Sequence, residues 1–140
     1  MTTTKWPAAV TIVMAAAALC GCNSSKTTAR APTCRPAHAP EYPTTDASLT
    51  DADAGGTWCL PVGETLTVTL HVPVARSADP WAPITPSDAT ALEPVSNGVA
   101  SFPRGVTATF LAARKPGVVT VTSTGPGGAR WKATVVLRSK

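Results

Sequence analysis

The sequence predicts an all-β domain, a sandwich of six or seven short strands placed behind an export segment and a tether. Beyond Trp58, stretches of alternating apolar and polar residues recur, each closed by a turn signal built on Pro or Gly. Charged residues make up only 14% and aromatic residues 5%, while Thr, Ala, Val, Pro and Gly abound, which suits strands and turns better than long helices. After the N-terminal apolar run there is no helix-length amphipathic stretch. Ten Gly and fourteen Pro stay below the level of roughly 25% that marks wholesale disorder, so part of the chain folds, and 140 residues leave room for one domain.

The N-terminus comes first. A short segment carrying Lys5 precedes an uncharged apolar run from Pro7 to Leu19, the pattern of a signal peptide. Trp6 to Cys22 falls short of the ~20 residues that a bilayer-spanning helix needs, which favours a processed signal over a permanent span. Leu19-Cys20-Gly21-Cys22 resembles the bacterial lipobox. That resemblance implies a signal peptide over 1–21 and lipid attachment at Cys22, where only a thiol can form the thioether to a diacylglyceryl group. The protein is then expected at the cell membrane, lipid-anchored on its extracellular face. An ordinary secretory signal releasing a soluble protein is the competing reading.

Residues 22–56 read as the lipidated Cys and a flexible tether. The stretch is Ser, Thr, Ala, Pro and Asp with Leu49 as its one large aliphatic residue, too little apolar surface to offset the entropy of ordering. Pro32, Pro36, Pro40 and Pro43 favour an extended course. With Cys20 leaving in the signal and Cys22 carrying lipid, Cys34 and Cys59 remain, and an even pair in an oxidising compartment is expected to form a disulfide. Its loop size corresponds to roughly 3–4 kcal/mol of chain-entropy stabilisation. His38 and His71 are the only histidines, too few beside the paired cysteines for a four-ligand zinc site, so no metal is expected.

The sandwich domain is assigned to 57–140. Thr57 to Val62 is its first strand. In Glu64 to Val72, Leu66, Val68, Leu70 and Val72 fall on one side and Thr65, Thr67, Thr69 and His71 on the other. Ala89 to Val95 and Val99 to Phe102 are weaker strands. Val106 to Ala113 follows, with Val106, Ala108, Phe110 and Ala112 as its apolar face, and Lys115-Pro116-Gly117 makes a turn. Val118 to Thr124, a turn over Gly125 to Gly128, and a last strand with Trp131, Ala133, Val135 and Leu137 inward complete the set.

Little here carries catalytic chemistry. The acids end at Glu93, His71 sits opposite the aliphatic face, and there is neither a phosphate-binding Gly-rich loop nor a nucleophile elbow. No catalytic residue, no cofactor and no enzyme activity are expected. From Pro94 onward there are seven basic residues, Arg104, Arg114, Lys115, Arg130, Lys132, Arg138 and Lys140, and no acid. They either attract anionic wall polymers or lipid headgroups, or keep solvated strand edges from aggregating. Outside the cell, nucleic acid is not an expected partner. The mature chain has three tryptophans. Trp81 lies in the Pro-bounded loop Asp79-Pro80-Trp81-Ala82-Pro83, as a contact residue or a plug at the end of the sandwich, and Trp131 continues an alternating face. Trp81, Arg130 and Trp131 mark the candidate binding loops of a monomer.

Val62-Gly63-Glu64-Thr65-Leu66-Thr67-Val68-Thr69-Leu70, then Trp81, then Thr109-Phe110-Leu111-Ala112-Ala113-Arg114-Lys115-Pro116-Gly117 resemble the frame of the chagasin-type protease inhibitors. That resemblance runs from about Val62 to Leu137. It implies an Ig-like β-sandwich that blocks papain-like cysteine proteases with three loops at one end. The loop motifs differ: where the family has Asn-Pro-Thr-Thr-Gly, Val74 to Pro80 has no Asn, no Thr and no Gly, Pro103-Arg104-Gly105 offers a single Gly for its second loop, and Arg130-Trp131 lacks the Pro of Arg-Pro-Trp. The richness in Ala, Pro, Thr and Arg is similar to that of high-GC Gram-positive bacteria. The expected function is therefore a non-catalytic binding or structural module of the cell envelope, partnered with the membrane through its lipid and with a protein or anionic wall polymer. The alternative is a divergent chagasin-like inhibitor of cysteine proteases.

Overall fold

The computed structural model describes residues 32–72, 79–96 and 102–140. The expected signal peptide, Cys22 and the start of the weak strand at Val99 lie outside them. The described residues form nine strands: β1 Arg35–Pro36, β2 Ala47–Thr50, β3 Thr57–Pro61, β4 Thr65–His71, β5 Thr85–Pro86, β6 Leu92–Val95, β7 Val106–Ala113, β8 Gly117–Thr124 and β9 Arg130–Arg138. They make a five-stranded sheet in the order β1-β3-β9-β8-β5 and a four-stranded sheet in the order β2-β4-β7-β6. The all-β sandwich read from the sequence is what the chain builds.

Alternation explains the core. Leu66, Val68 and Leu70 of β4 meet Leu49 of β2, Leu92 of β6 and Leu111 of β7 on one inner face. Trp58, Leu60, Val119, Val121, Trp131, Ala133, Val135 and Leu137 supply the other. Each fully buried aliphatic side chain contributes about 1.5–3 kcal/mol.

Two expectations are corrected. The tether does not extend to Gly56: from Arg35 onward the chain is part of the fold. β2 pairs in parallel with β4, Ala47 opposite Leu66 through Thr50 opposite Thr69, and Leu49 is completely buried. A segment poor in aliphatics is held by backbone pairing and by polar fastenings. The buried Asp53 carboxylate accepts from the Thr50 amide at 2.7 Å and contacts His38 Nε2 at 2.7 Å. The expected disulfide joins Cys34 to Cys59.

The second correction concerns β7, whose phase is inverted. Leu111, Thr109 and Thr107 stand opposite Leu66, Val68 and Leu70, so they face inward, and Val106, Ala108, Phe110 and Ala112 face outward. The outward face is covered all the same. Tyr42 packs edge-on against Phe110 at 5.7 Å and Phe102 lies 6.1 Å from the same ring. Phe110, Thr67 and Thr69 are buried on this second, smaller core, and both threonine hydroxyls lack a hydrogen-bond partner among the described residues. Burial in this cluster raises the Tyr42 hydroxyl above its ordinary pKa, with the nearby Glu41 carboxylate adding to the shift.

Candidate functional site

The last residues of β4 and β8 and the first residues of β7 and β9 lie at one end of the sandwich. His71 closes β4 opposite Val106, the first residue of β7. Thr124 closes β8 opposite Arg130, the first residue of β9, and Thr85 opens β5 opposite Thr122. Val72 donates to the Gly105 carbonyl at 2.8 Å. Gly105 holds φ +82°, and a β-carbon there would approach the Val72 carbonyl oxygen to 3.2 Å, so glycine is what lets the two chains close.

Trp81 is the hub of this pole. Its indole Nε1 donates to the His71 carbonyl at 3.0 Å, and its own carbonyl accepts from Thr107 Oγ1 at 3.1 Å. The ring lies flat over Gly125, where a β-carbon would come within 2.7 Å of it. Ala82 donates to the Thr124 carbonyl at 2.8 Å, and Ser123 Oγ donates to the Ala82 carbonyl at 2.7 Å. One half-buried side chain and its neighbour thus fasten β4, β7 and β8 together. The part of Trp81 that stays open sits on a frame with few ways to move, which limits the entropy lost on binding.

The sequence-derived site residues separate. Arg130 is exposed at the base of the Gly125–Ala129 turn. Trp131, expected among the contact residues, is 2% exposed, and its Nε1 donates to the Thr50 carbonyl at 3.1 Å. It belongs to the core because alternation along β9 turns it inward, and it fixes the end of β2 rather than meeting a partner. Trp81 and Arg130 remain at the pole.

His71 is solvent-facing, as its place on β4 suggests, and it is not alone. Asp51, in the 3-10 turn Asp51–Asp53, accepts from the His71 amide at 3.0 Å and lies 3.1 Å from His71 Nδ1. No nucleophile lies in this pairing. Among the described residues no group of three His, Cys, Asp or Glu side chains could hold a metal ion. Sequence reasoning missed Asp51, Thr107 and Gly125. The first two act across the sheet at long separation, whereas Gly125, ahead of Pro126-Gly127-Gly128, could have been suspected as a seat for an aromatic ring.

Several solved structures are similar to this chain. The cysteine protease inhibitor EhICP2 from Entamoeba histolytica superposes with a TM-score of 0.52 at 15% identity, over 65% of this chain and 93% of its own. Amebosin gives 0.42 at 15% identity over 65% and 96%. PbICP-C, solved in complex with falcipain-2, gives 0.38 at 12% identity over 72% and 95%. No protein-family model matches the sequence, and no curated protein does. At this identity the likeness is one of fold: the chain has the sandwich scaffold on which a cysteine protease inhibitor is built.

Proposed function

We propose that this protein is a non-catalytic inhibitor of papain-like cysteine proteases, presented at a membrane surface by a lipid on Cys22. The observation that carries the reading is that Trp81 and Ala82 tie the ends of β4, β7 and β8 together at one pole, within a scaffold that spans nearly the whole of a known inhibitor of this class. Inhibition of this kind needs no chemistry from the inhibitor. It needs a preorganised wedge that fills a protease cleft without being cut, and a half-buried Trp held by both sheets suits that role. The family's loop motifs are absent, so the affinity expected is micromolar and the proteases served differ from those of other members.

Titration of papain and two related proteases with the purified protein tests the reading. Micromolar inhibition that is lost in Trp81→Ala supports it, and no inhibition of any of the three overturns it. The anchor is tested separately by metabolic labelling with a clickable fatty acid. Wild type takes up label and Cys22→Ser does not, and labelling of both places the attachment elsewhere. A binding module of the cell envelope with no protease partner is the second reading, favoured by the exposed cations of β9.

A further inference from the structure

The cations of the second half are unequally engaged. Arg114 pairs with Glu93, Lys140 lies 3.9 Å from Glu64, and Arg138 donates to the Pro32 carbonyl. In the first half, Arg35 sits 4.2 Å over the Trp58 ring. Arg130 and Lys132 have no ion-pair partner among the described residues, and they stand two residues apart on β9, about 7 Å along the strand.

Their surroundings form a pattern. Arg130 is opposite Thr124 and Lys132 opposite Thr122, with Thr85 beyond Thr122 on the next strand. Thr120, Thr134 and Thr57 continue the array one row further. Val119, Val121, Ser123, Trp131, Ala133 and Val135 are buried, so alternation turns the threonines and cations outward. None of β3, β5, β8 and β9 contains an Asp or Glu. Beside Arg130 and Lys132 the face dips into a concavity of about 330 Å³ lined by Thr122, Thr124 and the two cations, with Ser123 and Trp131.

We infer that this outer face of the five-stranded sheet docks a linear polymer carrying repeated phosphate groups. Arg130 offers a planar fork that matches phosphate oxygens, Lys132 a point charge, and the threonines hydroxyl donors between them. A single small anion would use one corner of such a grid. A polyanion uses the repeat along β9 and across to β8, and no carboxylate on these strands opposes it. This surface adjoins the pole at Thr124 and Arg130, and its polymer binding is read without a protease, apart from the inhibition assigned to Trp81.

The test uses the full chain and immobilised long-chain polyphosphate across a salt series. Retention is expected at low salt and to fall as salt rises, as counterion release requires. Arg130→Gln with Lys132→Gln should weaken binding at least tenfold and flatten the salt dependence. Thr122→Val with Thr124→Val should weaken it several-fold with the salt dependence kept. All four side chains are exposed, and an unchanged thermal melt verifies that each variant is folded. Failure of the wild type to bind at low salt overturns the inference, as does retention unaffected by the double Gln change. Stronger binding to phosphatidylglycerol vesicles than to the polymer at equal phosphate also overturns it, because a lipid surface is then the occupant.

Discussion

The indole N–H of Trp81 donates to the main-chain carbonyl of His71 at 3.0 Å, across the end of the sandwich. The bond ties a loop tryptophan to the last residue of β4, while the same ring rests on Gly125 at the end of β8.

Trp81 and Gly125 should therefore behave as one unit. Gly125→Ala places a methyl within 2.7 Å of the ring and should displace it, lowering stability by about 1–3 kcal/mol, the usual cost of overpacking, and weakening protease inhibition. In a Trp81→Ala background the same change should be nearly neutral, because its obstacle is gone. A double-mutant cycle by denaturation measures the coupling, and additive effects would contradict the contact.

Removal of the Cys34–Cys59 bond should cost about 3–4 kcal/mol, the chain-entropy value for cysteines 25 residues apart. Urea unfolding of Cys34→Ser with Cys59→Ser, compared with wild type with and without reductant, measures it. Reductant should shift the wild type and leave the variant unmoved.

Thr69→Val should stabilise the protein, as should Thr67→Val. Both hydroxyls are buried without a partner among the described residues, and an unmet hydroxyl costs about 1–3 kcal/mol. Replacement by an isosteric methyl removes that cost beneath Tyr42 and Phe110. A gain of roughly 1 kcal/mol in denaturant unfolding is expected, and a loss would show that the hydroxyls are satisfied in solution.

Asp88 governs part of the acid limb of stability. The Thr90 hydroxyl, then the Thr90 and Ala91 amides, donate to its carboxylate and hold its pKa below the ordinary value, with the charge of Lys115 adding slightly. A depressed folded pKa gives stability that is complete above the unfolded value near 4 and lost as pH falls through the lower folded one. Asp88→Ala should therefore lower the melting temperature at pH 7 and flatten its decline below about pH 4. Parallel melting curves for wild type and variant across that range would refute the assignment.

What the sequence reveals depends on where each element finds its partner. β4, β8 and β9 are legible because each has one apolar and one polar side, and the cysteine pair is legible by elimination. β7 shows its period but not its phase, since apolar residues line both of its faces and only the register against Leu66 and Leu70 decides which is inner. Residues 35–56 escape detection because they are held by parallel pairing with β3 and β4 and by Asp53, interactions that leave no local pattern of large aliphatics. At the pole, Trp81 stands out as a loop tryptophan, but its fastening runs through main-chain atoms of His71 and the bare backbone of Gly125. Trp131 differs already in sequence, since the alternation of the last strand turns it inward, and it is buried.

The position of the disulfide also decides how load travels through the molecule. Cys59 is paired with Val136, next to the far end of β9 from Arg130, and β3 runs parallel to β9 over five residue pairs. A pull arriving from ahead of Cys34 crosses the sulfur bridge into β3 and stresses its hydrogen bonds to β9 side by side, so several must break together. The segment between the two cysteines, with β2 and the Asp51–Asp53 turn that steadies His71, is spared the strain. A domain tugged from its N-terminal side while gripped at Trp81 would load the β3–β9 hydrogen bonds in shear and leave the strand ends around Trp81 in shape.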